Sequence, residues 1–522
     1  MSTAPAPVSP QRAMQAPLPE RVTGVQLMQG IGVRPAVGFW TDAWRTIVKR
    51  HPAVIAMCWI GIVAFFAVFS PLIANGHPIW LKSVGGAGRS YSPLWENLSS
   101  VDLVLLVWGL VTVPFVVLGP TIGRGRRVWM MIGALVVAIA VLAISGVFQG
   151  RLNSAAQDQG RAAASAAVRG LEPAANASKP FARRDGAGYI VGFGVAAVVF
   201  AGMMLVPLGK VRRRVIVVGL AACIGALAVG QRWDRPLEIY NYVQREVSGE
   251  IEATYTLVPW SPLQRDSALD RRPPLTKYGP ATGVAVDSAP YERRYILGTD
   301  AFGQDVLSQL LQSCRLAISI GLVSTGVALV IGVLLGALMG YFGGWVDLLL
   351  YRVVEIFMAV PVLFLLIVAV AVLPEELRNT YVIMGIIGMF TWTGMARFTR
   401  AEFMKLRNQD FVQAAQATGL PLRSILFRHM LPNGIAPVLV DTSFAIAAAI
   451  SVEATLSFLG LGPVDSASWG RLLSAAISSE GEFKWWLAVF PGLAIFLTVL
   501  SYNLIGEAMR DAIDPKLKKA RV

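Results

Sequence analysis

Four carboxylates stand in or beside long apolar stretches of this sequence. They are Asp347, Glu355, Asp441 and Glu453. A carboxylate at the centre of a bilayer costs about 2.5–3.5 kcal/mol on insertion scales, so such groups usually face a water-filled cavity or a partner. We expect Asp347 and Glu355 to lie at a cytoplasmic interface near Arg352. We interpret Asp441 and Glu453 as possible lining of a polar pathway.

The segment from 396 to 432 contains a residue pattern that predicts a short helix ended by a glycine. A helix that carries the small residues Ala414 and Ala415 is followed by Gly419, which can end it with a positive φ because glycine has no Cβ. Such a helix forms a short knob with little bulk at its tip, suited to a groove on another protein. The alternative is a basic amphipathic loop that lies on anionic lipid.

Several catalytic patterns are missing from the sequence. It has no G-x-x-x-x-G-K-[ST] loop, so we expect no ATP hydrolysis by this chain. It has neither a G-x-S-x-G elbow nor an H-E-x-x-H pair, which leaves a membrane-embedded hydrolase unsupported. Metal and disulfide chemistry are not expected either, because the cysteines and histidines lack the spacing for them; these residues are Cys58, Cys223, Cys314, His51, His77 and His429.

The composition indicates that membrane helices must position these residues. Of 522 residues, 55% are hydrophobic and 15% are charged, against about 25% charged in ordinary soluble domains. This balance excludes a soluble enzyme and a disordered scaffold. The 46 basic and 32 acidic residues give a net charge of +14. In a membrane protein such an excess reflects Lys and Arg held at the cytoplasmic side, so we expect no nucleic-acid partner.

Ten apolar stretches are long enough to cross a bilayer as helices, for which about 20 residues suffice. The ninth is the least regular, because it contains Asp441 and Glu453. The sequence therefore predicts an all-α integral membrane protein with about ten transmembrane helices, at residues 52–76, 103–123, 128–150, 186–209, 215–231, 316–346, 356–374, 379–396, 434–458 and 485–506.

Positive residues gather in alternate loops between these stretches. Lys and Arg cluster before the first stretch, in the second-to-third and fourth-to-fifth loops, after the eighth stretch and in the C-terminal tail. If every stretch crosses the bilayer, all these clusters fall on one side, which the positive-inside rule assigns to the cytoplasm. We predict a multi-pass protein of the cell inner (plasma) membrane with both termini in the cytoplasm.

Ordered motifs in the second half of the chain resemble a known family. The run Ala414, Ala415, Gly419, Leu431 and Pro432 is similar to the EAA motif of ABC importer membrane subunits, a coupling segment that sits in a cleft of the cytoplasmic ATPase. The wider resemblance is to the C-type subunit of the dipeptide/oligopeptide/nickel permease family. It covers about residues 257–519 and the first span, through PWSPLQRD (259–266), LGTDAFGQDVLSQL (297–310), GYFGGWVD (340–347), RHMLPN (428–433), EATLSFLGLG (453–462), SWG (468–470) and RDAIDPKLK (510–518).

This resemblance implies a type I ABC importer permease core without catalytic residues, which translocates short peptides or a similar small solute into the cell. The partners implied are a second permease subunit of B type, two cytoplasmic ATPase subunits that bind ATP and Mg, an extracytoplasmic substrate-binding protein, and membrane lipid. The resemblance assigns an ATPase-coupling role to Arg400, Glu402, Gln413, Ala414, Ala415, Gly419, Leu431 and Pro432. It assigns the external gate or binding-protein contact to Leu297, Gly298, Thr299, Asp300, Gly303 and Asp305.

Two positions depart from the family pattern. Gln413 stands where the EAA motif has an acidic residue, and Gln304 replaces an arginine of the external motif.

Glycines recur every four residues on one predicted helix, which lets two membrane helices approach closely. We predict helix packing for these residues, Gly332, Gly336 and Gly340.

The interpretation divides the chain into six parts: a disordered cytoplasmic tail (1–35), a first transmembrane helix (36–76), an inserted four-span region (77–232), an external loop with the LGTD segment (233–310), the permease core with its coupling segment at 397–432 (311–509), and a cytoplasmic tail (510–522). The insertion preserves the orientation of the core because four is even. Two alternatives remain open, namely an ATPase-independent secondary transporter and a membrane-bound sensor or assembly factor.

Overall fold

The computed structural model describes residues 39–83, 90–98, 102, 105–110, 133, 242, 246, 249, 251–262, 264–265, 269–277, 293–374, 377–463, 466–477 and 482–513. The predicted tail at 1–35 and the predicted stretches at 186–209 and 215–231 lie outside these residues. The stretches at 103–123 and 128–150 lie mostly outside them. The inserted region therefore stays a prediction.

The described part of the chain is mainly helical. Its helices are α1 (Phe39–Val48), α2 (His51–Ile73), α3 (Pro93–Asn97), α4 (Val306–Phe342), α5 (Gly344–Ala359), α6 (Val362–Ala371), α7 (Thr380–Arg407), α8 (Asp410–Ala417), α9 (Leu422–Phe458), α10 (Trp469–Ser474) and α11 (Trp485–Ile513). Helix α9 opens with one turn at Leu422–Ser424, continues as a π-helix at Ile425–Met430 and is regular from Leu431 to Phe458.

Among the described residues, five helices are long and apolar enough to cross a membrane, namely α2, α4, α7, α9 and α11. Helices α5 and α6 reach this standard only together, and they meet at an angle of 77°. The sequence predicted one stretch at 356–374. The structure instead ends α5 at Ala359 and starts α6 after Pro361, whose ring fixes φ and removes a backbone donor.

Helices α4 and α7 touch backbone to backbone. A Cβ added at Gly336 would lie 2.5 Å from the carbonyl oxygen of Ala396, and one added at Gly340 would lie 2.5 Å from Cβ of Phe403. From the other side, a Cβ at Gly388 of α7 would lie 2.5 Å from the carbonyl oxygen of Ser324. Side chains larger than hydrogen therefore do not fit at these positions, and the glycines set how closely the two helices approach.

Helices α9, α11 and α2 pack around this pair. Ile450 of α9 is fully buried, and its side chain lies beside Gly321 of α4. Gly506 of α11 lies against Phe444 of α9. Helix α1 packs against the end of α11 through apolar residues, and Arg50, which precedes α2, forms an ion pair of 2.5 Å with Asp511.

Short strands lie at one end of the helices, where α2 ends and α4 begins. Following the predicted orientation, we name this the outer end and the opposite one the inner end. One antiparallel sheet has the order β2-β1-β3, and a second pairs β4 with β5; the strands are β1 (Trp80–Ser83), β2 (Ser90–Tyr91), β3 (Ile251–Thr254), β4 (Thr276–Lys277) and β5 (Arg294–Tyr295). Leu81 pairs with Ala253 in register. Trp260 stacks on Tyr295 with ring centroids 4.4 Å apart, which joins the chain after β3 to β5.

The glycine contact gives a stability prediction. Replacing Gly336 with Ala should force α4 and α7 apart, because the new methyl group would meet a backbone carbonyl that cannot rotate away. Overpacking of this kind costs about 1–3 kcal/mol. The matched control is Gly326→Ala on the same helix, where a Cβ meets nothing within 4 Å. Thermal unfolding of the detergent-solubilised protein should show a lower transition temperature for Gly336→Ala only; equal transitions would contradict this account of the contact.

Candidate functional site

The segment between α7 and α9 forms a compact projection at the inner end. Helix α7 ends at Arg407, and α8 begins two residues after Asn408. Helix α8 ends at Ala417, and Gly419 follows with a φ of +71°, a conformation that favours glycine. Pro421 then precedes the first turn of α9. We name residues 408–432 the inner segment.

One face of α8 is buried against the start of α9. Val412 is fully buried and Ala415 is 5% exposed, and both pack against Ile425, Leu426 and Met430. The sequence predicts both small alanines at the tip of a knob. The structure differs, because Ala415 points inward and its small size lets α8 lie close to α9. Ala414 is exposed.

The exposed part of the inner segment carries large apolar side chains. Phe411, Leu420 and Leu422 are each more than a third exposed, and Phe427 is half exposed. Exposed apolar side chains that gather on one projection often mark an interaction site. The sequence-based prediction rests on small side chains and therefore does not include these four residues. Their spacing around the buried Val412 and Leu426 was the available signal, because it divides the segment into two faces.

Hydrogen bonds fix α8, and the end of α7 that precedes it, to the end of α4. Gln416 Nε2 of α8 donates to the Tyr341 hydroxyl at 3.3 Å, and Arg407 Nη1 donates to the Tyr341 carbonyl oxygen at 3.1 Å. Thr418 Oγ1 donates to the carbonyl oxygen of Ala414 at 3.0 Å and satisfies the end of the helix. The projection is therefore held by α4 as well as by its own neighbours in the chain.

The other residues with a predicted coupling role lie in different surroundings. Arg400 points toward α5, where it pairs with Asp347, and Glu402 lies 3.9 Å from Lys405 on α7 itself. Leu431 is half-buried beside the α8 contact. Gln413 and Pro432 are exposed. Asp347 thus binds Arg400, whereas Glu355 binds Arg352 at 2.5 Å on an exposed face of α5.

At the outer end, the LGTD segment folds back on itself. Asp300 Oδ1 accepts from the backbone N–H groups of Phe302 at 2.8 Å and Gln304 at 2.9 Å. Its Oδ2 accepts from Gln309 Nε2 at 2.8 Å. Thr299 Oγ1 accepts from the Arg272 N–H at 2.8 Å. These polar groups form hydrogen bonds within the turn and to the adjacent chain, so the motif stabilises the structure of the outer end.

Other residues of the same motif are also enclosed. A Cβ at Gly298, whose φ is +81°, would meet the Arg272 carbonyl oxygen at 2.5 Å, and Gly303 has a φ of +68°. Leu297 is half-buried and packs with Val306. Of residues 296–310, Ile296 and Phe302 have exposed side chains. They are the groups on this turn that a partner can reach.

Asp305 caps the first turn of α4. Its Oδ2 accepts from the Ser308 N–H at 2.7 Å. Its Oδ1 is buried and has no hydrogen-bond partner among the residues that the structure describes. Burial raises the pKa of Asp305 to about 6, chiefly because the charged form loses its hydration.

Glu453 is enclosed near the outer end of α9. It is 3% exposed, and its Oε1 accepts from Ser457 Oγ at 2.6 Å and from Ser468 Oγ at 2.8 Å. Trp469, next to Ser468, donates through Nε1 to the carbonyl oxygen of Leu310 on α4 at 3.1 Å. The carboxylate therefore joins α9 to the chain that enters α10, and its surroundings are protein groups.

Asp441 has a different environment. It lies in the middle of α9 and is half-buried. One and two heptads further along the helix, Ala448 and Thr455 are exposed, so Asp441 lies on the same side of α9 as these positions. The structure does not bring Asp441 and Glu453 together.

Two families match this chain. Residues 332–519 match the binding-protein-dependent transport system inner membrane component. Residues 38–82 match the N-terminal TM domain of oligopeptide transport permease C. The first match contains the whole inner segment, α5, α6 and Glu453, and the second contains α1 and α2.

Curated relatives are similar to this chain over somewhat more than two fifths of its length. The dipeptide transport system permease protein DppC of Alkalihalophilus pseudofirmus is 37% identical over 222 residues, which is 42% of this chain and 72% of that protein. The oligopeptide transport system permease protein OppC of Bacillus subtilis is 36% identical over 231 residues, 44% of this chain and 74% of that protein. The glutathione transport system permease protein GsiD of Pectobacterium atrosepticum is 38% identical over 223 residues, 42% and 73% of the two chains. A solved chain of the inward-facing MetNI methionine ABC transporter covers 40% of this chain and 97% of its own length at 15% identity, with a TM-score of 0.32 that is too low to support an argument.

The cap of α4 gives a pH prediction. Because the folded-state pKa of Asp305 is raised to about 6, this group destabilises the fold increasingly as pH rises from about 4, its ordinary value, to about 6. Asp305→Asn removes the charge and keeps a good cap. The difference in unfolding temperature between variant and wild type should shift in favour of the variant between pH 4 and pH 6 and then stay constant. A difference that does not change over this range would contradict the prediction.

Proposed function

The chain belongs to the family of inner-membrane components of binding-protein-dependent ABC transport systems that includes the dipeptide and oligopeptide permease C proteins, and we propose from this that it carries short peptides or a similar small solute into the cell. Its relatives' names support the peptide class. The chain itself is a non-catalytic permease subunit. The alternatives of an ATPase-independent transporter and a sensor have no support from this family.

We propose that the chain works in a complex with four other subunits. The chain pairs with a second permease subunit of B type, and the two span the cell inner membrane with lipid around them. Two cytoplasmic ATPase subunits bind ATP and Mg, and an extracytoplasmic binding protein delivers the solute. In this arrangement both termini and the inner segment lie in the cytoplasm, and about ten helices cross the membrane.

The inner segment is the proposed ATPase contact. The observation that carries this proposal is the exposure of Phe411, Leu420, Leu422 and Phe427 on a projection that α4 holds in place. Apolar side chains on a rigid projection suit a groove in a partner, because little conformational freedom is lost when they bind. Ala414, with its small exposed side chain, allows close approach.

At the outer end we propose a binding-protein contact through exposed neighbours of the LGTD motif, above all Ile296 and Phe302. Thr299, Asp300 and Asp305 support this contact indirectly, because their polar groups hold the turn. We retain Asp441 as the proposed pathway residue. Glu453 is less suited to that role, because its hydrogen bonds keep it inside the protein.

The proposed mechanism is an exchange between two states of the helix bundle. ATP binding draws the two ATPases together and moves the inner segment, and the bundle changes from an inward-facing to an outward-facing cavity. The ATPases bias the exchange only if their nucleotide-bound form contacts the two states with different affinity. After hydrolysis the bundle returns and releases the solute to the cytoplasm.

The ATPase contact can be tested at Ala414. Replacing Ala414 with Arg should leave the fold intact, because this side chain is exposed, and should reduce both bound ATPase and substrate-stimulated ATP hydrolysis about tenfold. The control is Ala371→Arg, which adds the same side chain to an exposed alanine at the outer end of α6, far from the inner segment. Ala415→Arg is a poorer probe, because it would disrupt the packing of α8. If Ala414→Arg and the control behave alike in the reconstituted complex, the inner segment is not the contact.

The orientation can be tested with single cysteines. After Cys58, Cys223 and Cys314 are replaced by Ser, Ala417→Cys should react with a membrane-impermeant reagent only from the cytoplasm. Phe302→Cys, which lies on the outer end, should react only from the outside. Both positions are exposed, so a failure to react from either side is not expected. Reaction of both cysteines from one side would contradict the orientation.

A further inference from the structure

Arg400 joins α7 to the first turn of α5. Its Nε and Nη2 atoms donate to the two carboxylate oxygens of Asp347 at 2.5 and 2.6 Å. Its guanidinium also lies 4.8 Å from the centroid of the Tyr351 ring. A bidentate pair of this kind fixes orientation as well as distance. The side chains are 27% and 14% exposed, so the pair is partly shielded from water.

The backbone of Arg400 belongs to the close contact between α4 and α7. A Cβ at Gly336 would lie 3.0 Å from the Arg400 nitrogen, and one at Gly340 would lie 2.7 Å from the Arg400 carbonyl oxygen. Helices in such contact cannot shift relative to each other without a clash, so α4 and α7 move as one body at this level. The Arg400 side chain therefore reaches α5 from a fixed base.

Helix α5 has a narrow attachment to the rest of the bundle. Of its 16 residues only Val354 is buried. Leu350, Tyr351 and Phe357 are half-buried and lie on the same stripe, which packs against α4 and α7. The far end of α5 meets α6 at 77°. Helix α5 is thus an arm with a bend at one end and the Arg400–Asp347 pair at the other.

We propose that the Arg400–Asp347 pair transmits movement of the inner segment to α5 and α6. This inference rests on the proposed ATPase contact, because Arg400 lies about two helical turns before the end of α7 and α8 follows directly. When the inner segment moves α7 and α4, the start of α5 follows because only Gly343 separates it from α4. The pair fixes the direction in which α5 leaves α4, and the bend at residues 360–361 absorbs the change of angle. Arg400 is a positioning residue that acts through Asp347, and the ATPase binds elsewhere on the chain.

The test uses the complete importer in liposomes, with its ATPases, its binding protein and labelled dialanine as the probe. Asp347→Arg and Arg400→Asp are compared with the double variant, in which the charges are exchanged. Asp347→Arg should keep the amount of bound ATPase and its ATP hydrolysis within about twofold of wild type. The amount of dialanine transported per ATP should fall about fivefold or more, the lower range of coupling effects. The double variant, in which the charges are exchanged, should recover at least half of the wild-type transport per ATP.

A conformational measurement makes the test independent of the solute. Spin labels at Leu349 of α5 and Ala401 of α7, both exposed, should keep one distance in the nucleotide-free and ATP-trapped wild type, because the pair holds the helices together. In Asp347→Asn, which retains the shape of the side chain without its charge, the distance should differ between the two states.

The matched control is the pair Arg50–Asp511, which also joins distant parts of the chain at the inner end and whose side chains are 30% and 27% exposed. Asp511→Arg should leave transport per ATP unchanged even if the protein becomes less stable. Normal ATPase binding with unchanged transport per ATP in both single variants would overturn this inference alone. Failure of the wild type to bind the ATPases would overturn the proposed function, and this inference with it.

Discussion

The other contacts of the bundle depend on the close approach of α4 to α7. Glycines on both helices bring backbone against backbone, and the absence of side chains there is what allows it. Inside a membrane, apolar side chains gain little by leaving lipid, so dense packing and backbone proximity stabilise helix pairs instead. This pair gives α9, α11 and α2 a surface to pack on. It also gives the inner segment a rigid base, through Tyr341 at the end of α4 and Arg407 at the end of α7.

Buried or partly buried carboxylates hold the ends of the bundle together. Asp300 closes a turn at the outer end, Glu453 joins α9 to the chain before α10, and Asp347 ties α5 to α7 at the inner end. Each accepts two or more hydrogen bonds or pairs with a guanidinium, which offsets the loss of hydration. The carboxylates of these motifs, some of which the sequence predicts as contact or pathway residues, therefore stabilise the fold. The groups left for partners are their exposed apolar neighbours.

The inner segment has a buried face that packs on the bundle and an exposed face that remains free for a partner. Val412 and Ala415 must be buried and small enough for α8 to pack on α9, while Ala414 and Phe411 remain exposed. The left-handed conformation of Gly419 allows the chain to reverse within one turn. A helix fixed in this way can transmit force in both directions, and the bent arm of α5 and α6 lies within reach of the same end of α7.

The sequence by itself determined the membrane class, the family, four of the five predicted spans of the permease core and the left-handed turn at Gly419, because hydropathy, glycine spacing and ordered motifs are local properties of the chain. The fifth span, predicted at 356–374, is instead the bent pair of α5 and α6. The spacing of Gly332, Gly336 and Gly340 also indicated a helix contact, but it did not identify α7 as the neighbour. Tertiary structure alone decided that Arg400 binds Asp347, which is 53 positions away, and that Glu453 binds Ser468. It also decided which of two adjacent alanines is buried, since neighbouring residues on a helix point about 100° apart and only the position of α9 selects between them.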